Sequence, residues 1–101
     1  MLVPTTPKLR DPDAIPYFAW DLGWPVSRIR QVLAEGSQHD RDEVVLRLLR
    51  EANTRDVWLF VGWEEIEQAW PRIEHRLGRA RGMWQLMRGR RLEHVRAENP
   101  E

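Results

Sequence analysis

The sequence predicts an all-α fold: a single compact domain of five to six short helices behind a proline-rich N-terminal arm. Three observations predict it. Apolar residues recur at spacings of three and four in several separate segments, which is the signature of helices with one buried face. The one run that would suit a buried strand has no second run to pair with, and a lone strand is not stable. A chain of 101 residues has room for one core.

Residues 1–16 form the arm. Pro4, Pro7, Pro12 and Pro16 each remove an amide donor and bias the preceding residue toward extended backbone. The segment from Tyr17 through Phe18, Trp20 and Leu22 to Trp24 concentrates aromatic side chains and is expected to anchor the arm to the core. Pro25 suits a first helical turn, and Val26, Ile29, Val32 and Leu33 share a face, predicting a helix over 25–35 that ends at Gly36. Asp40 is the expected N-cap of a second helix over 41–53, with Asp42 and Glu43 in its first turn and Val45, Leu48, Leu49 and Ala52 inward. Glu43 and Arg47 are spaced as a favourable pair on that helix. The apolar run Val57 to Val61 reads as a short buried helix. Ile66, Trp70, Ile73 and Leu77 keep one face through Pro71, where a break is expected, giving two helices over 63–70 and 71–77. Gly78 stops the second. Ala80, Met83, Trp84 and Met87 then mark an inward stripe on a last helix over 79–88. The helical domain thus spans 17–92, and 93–101 is a polar tail.

Sixteen basic and sixteen acidic side chains leave no net charge, so no global field draws the chain to nucleic acid or an acidic membrane. The balance is uneven along the chain. Residues 1–69 carry a net charge of −4 and residues 70–101 carry +4. The absence of cysteine excludes disulfides, thiolate metal sites and a cysteine nucleophile, and fits a reducing cytoplasm. No leader or membrane anchor is expected, since no long apolar stretch is present.

Catalytic and metal motifs are weak. His39-Asp40-Arg41-Asp42 has the letters of a kinase catalytic loop, but the chain lacks the glycine-rich loop and the length of that fold. His39, His75 and His94 have no metal-ligand spacing, and the carboxylates at helix starts are explained by the helix dipole. The expectation is therefore a protein that is not an enzyme and takes no cofactor and no metal. Two features stand out instead. Arg79, Arg81, Arg88, Arg90 and Arg91 lie between Gly78 and Leu92 with no acid among them, and are the candidate nucleic-acid contacts. Tyr17, Phe18, Trp20, Trp24 and Trp63 are the candidate protein-partner contacts, because Trp20, Trp24 and Trp63 flank turns and tryptophan is enriched at interface hot spots.

The order of these residues resembles a small bacterial family encoded beside nucleotidyltransferase-like toxins of the abortive-infection class. The likeness rests on Pro16-Tyr17-Phe18-Ala19-Trp20-Asp21, Ile29 with Val32-Leu33, Asp56-Val57-Trp58-Leu59-Phe60, Glu64-Glu65-Ile66, and Leu77 with Arg79, Arg81 and Met83-Trp84, covering about residues 16–88. It departs from the family at Pro71 and at Gly78 to Gly82. The resemblance implies an all-helical antitoxin with a helix-turn-helix-like C-terminal half. On that basis the leading expectation is a cytoplasmic binding protein that masks a cognate toxin through residues 10–24. An alternative is a DNA-binding regulator that reads duplex DNA as a homodimer through residues 64–88, a role that an antitoxin can also hold at its own operator. A third is a helical oligomer with no external ligand.

Overall fold

The computed structural model describes residues 9–98, with side chains described as far as residue 93. Among residues 10–98 five α-helices follow one another: α1 (Val26–Glu35), α2 (Gln38–Glu51), α3 (Thr54–Val57), α4 (Trp63–Ile73) and α5 (Ala80–Glu98). One-turn 3-10 helices at Tyr17–Ala19 and Glu74–Arg76 precede α1 and follow α4. The described residues contain no strand, and none of their helices is long and apolar enough to cross a membrane.

The central element is α2, which packs against α1, α3, α4, α5 and the first 3-10 turn. Its sequence explains why. Val44, Val45, Leu46, Leu48 and Leu49 are all buried, so the helix has no fully solvated side in its second half and must be enclosed by the others. Phe18, Ile29, Val32, Ile66, Trp70, Ile73, Leu77 and Trp84 supply the enclosing surface, and each large buried side chain contributes about 1.5–3 kcal/mol.

The N-terminal segment is part of this packing. Leu9 is buried, and the carbonyls of Ala14 and Pro12 accept from the amides of Val26 and Ser27 at 2.8 and 3.0 Å. Those amides are first-turn donors with no partner inside the helix. Pro25 offers no side-chain cap, so the preceding segment does the capping. Residues 1–8 of the arm lie outside the described residues.

Several sequence expectations are corrected. The N-cap of α2 is Ser37, not Asp40: its hydroxyl accepts from the Asp40 amide at 3.1 Å, and the helix begins three residues earlier than its apolar pattern suggests. Helix α3 ends at Val57, and the apolar run after it is a chain of turns, in which the Leu59, Phe60 and Val61 amides reach back to the carbonyls of Asp56 and Val57. Pro71 does not break α4. It lies on the exposed side, while Ile66, Ala69, Trp70 and Ile73 hold the residues before and after it against the core. Tertiary burial thus outweighs the one missing backbone bond. The break comes later, through the 3-10 turn and Gly78, whose φ of 57° lies in the left-handed region open to glycine. Helix α5 runs through Gly89 to Glu98, ten residues beyond its expected end at 88 and into the expected polar tail; the side chains of residues 94–98 are not described.

Candidate functional site

The segment from Ile15 to Leu22 is where the surface departs most from an ordinary solvated one. Phe18 and Ala19 are buried, and the Phe18 ring meets Phe60 edge to face at 5.4 Å. Between and around them Ile15, Tyr17, Trp20 and Leu22 stay exposed, Trp20 most of all at 75 %. The turn that carries Trp20 is closed by the Leu22 and Gly23 amides, which donate to Ala19 Oat 3.1 Å each, and Gly23 has a φ of 68°.

Two polar clamps fix this turn to the core. The Tyr17 hydroxyl donates to Asp56 Oδ2 at 2.7 Å and accepts from the Asn53 amide at 2.7 Å. On the other flank, Arg47 donates to both carboxylate oxygens of Asp21 at 2.6 and 2.9 Å. That bond holds the Asp21 carboxyl below its ordinary pKa. Trp20 therefore stands on a turn tied to the core on both flanks, while its own side chain is in water.

The five expected partner contacts separate by environment. Trp20 and Tyr17 are exposed. Phe18, at 3 % exposure, is a core residue and has no surface to offer a partner. Trp24 packs against the core with the Arg28 guanidinium 4.8 Å from its ring centre. Trp63 belongs to a three-indole cluster with Trp58 and Trp84, at centroid distances of 5.3 and 6.1 Å. Ile15 and Leu22 extend the exposed segment; both fall within residues 10–24 but not among the five expected contacts, because an aliphatic side chain carries no compositional signal for an interface.

The arginine cluster is not a bare positive face. Arg88 donates to both oxygens of Glu67 at 2.6 and 2.7 Å and lies 4.4 Å from the Trp70 ring centre. Arg81 pairs with Glu74 at 3.0 Å, and Arg91 lies 5.5 Å from the Trp63 ring centre. Only Arg79 and Arg90 of the five are exposed without an ion pair or ring contact among the described residues. Residues 78–92 hold no acid along the chain; the carboxylates that pair with Arg81 and Arg88 come from α4 and the turn after it.

The same geometry accounts for the uneven charge. Arg72 is bound to Asp42 at 2.5 and 3.2 Å, Arg76 to Glu43, and Arg88 to Glu67. Each pair joins the basic second part of the chain to the acidic first part. Glu43 therefore pairs with Arg76 and Arg47 with Asp21, in place of the expected Glu43–Arg47 contact along one helix. Arg76 and Arg88 hold the carboxyls of Glu43 and Glu67 below their ordinary pKa, and those carboxylates raise the two guanidinium values in return.

A concavity of about 390 Å³ between α1, α2 and α4 has Leu33, Val45 and Ala69 as apolar lining and Arg41, Glu64 and Gln68 among its polar lining. Among the described residues no group of three His, Asp or Glu side chains is arranged to hold a metal ion. Comparison with protein-family models, with curated proteins and with solved structures finds no match to this chain.

Proposed function

We propose that this protein acts by contact, as a helical module that binds a protein partner through Trp20 and the exposed residues around it, in the role of an antitoxin that masks a cognate toxin in the cytoplasm. The observation that carries the reading is a tryptophan with three-quarters of its surface in water on a turn clamped at Tyr17 and Asp21. With the turn tied to the core, the ordering cost on binding falls mainly on the indole's own torsions, and tryptophan is among the residue types enriched where binding energy concentrates. The toxin as partner rests on the family resemblance alone. Duplex DNA is the weaker alternative, because Arg81 and Arg88 already have carboxylate partners and any phosphate would compete with them.

The test is co-expression with a nucleotidyltransferase-like toxin of the abortive-infection class, the partner that the resemblance implies, followed by affinity measurement on the purified pair. The wild-type chain is expected to co-purify, and Trp20→Ala to weaken binding by about 30-fold or more with unchanged circular dichroism and melting temperature. A complex that forms equally well with Trp20→Ala, or no complex with the wild-type chain, overturns the proposal.

A further inference from the structure

The last helix has one face that packs and one that the fold leaves unused. Ala80, Trp84, Met87, Arg88 and Arg91 are buried or half-buried against the domain. The opposite side, read at spacings of three, four and seven, is Gly82, Met83, Leu86, Gly89, Arg90 and Glu93, with Arg79 in the turn just before the helix, and every one of these is exposed. Met83 and Leu86 are exposed by 44 % and 58 %; Met83, expected on the inward stripe, lies at the edge of this face, where its sulfur accepts from the Thr54 hydroxyl at 4.0 Å. Glycine destabilises a helix interior relative to alanine, yet two stand here a heptad apart. Neither is required within the chain: a Cβ at position 82 or 89 would meet nothing within 4 Å, and neither has a positive φ.

The order of residues on this face is self-complementary. Three steps from Leu86 reach Met83 on one side and Gly89 on the other. Four steps reach Gly82 and Arg90, and seven reach Arg79 and Glu93. We propose that this face of α5 pairs with the same face of a second copy, the two helices running antiparallel with a two-fold axis at Leu86. Leu86 then meets the partner's Leu86, Met83 enters the notch over the partner's Gly89, the stem of Arg90 crosses the partner's Gly82, and Arg79 meets the partner's Glu93. The glycines let the two backbones approach closely, and the contact is isologous, as two-fold dimers require.

Charge selects both the occupant and the direction. Arg79, Arg90 and Glu93 make no ion pair among the described residues, whereas the neighbouring Arg81 and Arg88 do. A parallel pair would set Arg79 against Arg79 and Glu93 against Glu93; the antiparallel pair replaces both repulsions with attractions. Arg79 and Glu93 thus find their counter-charges on a second copy, while the head of Arg90 reaches past the partner's Gly82 to solvent. This surface is separate from the Trp20 segment, and the inference does not depend on the toxin reading.

The test uses the purified full chain alone, by sedimentation velocity across a concentration series. A single helix pair is a small interface, so dimer is expected to appear at about 1–100 μM. Gly82→Ala and Gly89→Ala are the discriminating variants. In dilute solution each should raise the melting temperature, because alanine favours the helix and nothing obstructs its methyl group; in the concentration series each should weaken dimerisation at least tenfold, because that methyl group now faces the other copy. Leu86→Glu should leave a folded monomer. Arg79→Glu should weaken the dimer, and adding Glu93→Arg should restore it. A monomer at every concentration overturns the proposal, as does a Gly89→Ala chain that dimerises like wild type or a charge exchange that restores nothing.

Discussion

Replacing Tyr17 by phenylalanine removes one oxygen atom, and with it the hydrogen bonds to Asp56 and from Asn53, while keeping the ring. The ring's edge contact with Phe18, at 5.5 Å between centroids, is retained. What is lost is the bond to Asp56 Oδ2 and the bond from the Asn53 amide. Asp56 is 2 % exposed, so water has little access to replace the hydroxyl, and a lost bond to a carboxylate there costs about 1.5–3 kcal/mol. The Asn53 amide is at the surface, where water can serve it, and adds about 0.5–1 kcal/mol. The substitution is therefore expected to cost about 2–4 kcal/mol, a large part of the stability of a domain this size. At about 4–8 °C per kcal/mol that is a fall in melting temperature of about 10–30 °C. Urea unfolding followed by far-ultraviolet circular dichroism measures it. A loss below about 0.5 kcal/mol, the level of an ordinary surface substitution, would refute the claim that the hydroxyl anchors the segment.

Two further outcomes follow from the same network. Because Arg76 and Arg88 depress the carboxyl pKa values of Glu43 and Glu67 in the folded chain, the stability these pairs supply is present above the ordinary value of 4.5 and is lost as the pH falls through the lower folded values. Melting temperature should hold steady from neutral pH to about 5 and fall below that. Arg88→Gln should flatten the fall, by about 1 kcal/mol or less given the exposure of the pair; an unchanged profile would count against the assignment. Trp84→Phe removes the bond from the indole Nε1 to the buried Leu49 carbonyl at 2.9 Å and leaves space beside Trp58 and Trp63, for an expected cost of about 2–4 kcal/mol by chemical denaturation. A cost near zero would mean the indole is not holding α5 to α2.

The legibility of this chain divides along a physical line. Periodic burial could be read directly: Val26, Ile29 and Val32 on α1, or Val45, Leu48 and Leu49 on α2, face inward as their spacing requires. Signals that compete with tertiary packing were misread. Pro71 and Gly89 weaken a helix locally, but α4 is held by its buried face and α5 continues regardless. Electrostatic partners were the least legible. Helical spacing suggested Glu43 with Arg47, and local composition suggested an unneutralised arginine cluster, yet the observed pairs span 21 to 33 residues for Glu67–Arg88, Asp42–Arg72 and Glu43–Arg76. Spacing in one helix carries no information about which helix will lie beside it. For the candidate site, the concentration of aromatic residues over 17–24 is legible in the sequence, but only burial separates Trp20, in water, from Phe18, two residues earlier and inside.

The last turn of α2 is tied from both directions along the chain: the carbonyl of Leu49 takes its bond from Trp84, and the Asn53 amide just past the helix gives its bond to Tyr17. During synthesis, Tyr17 leaves the ribosome long before Trp84 does. The end of the central helix therefore cannot complete its bonding until both Tyr17 and Trp84, 67 positions apart in the chain, are present.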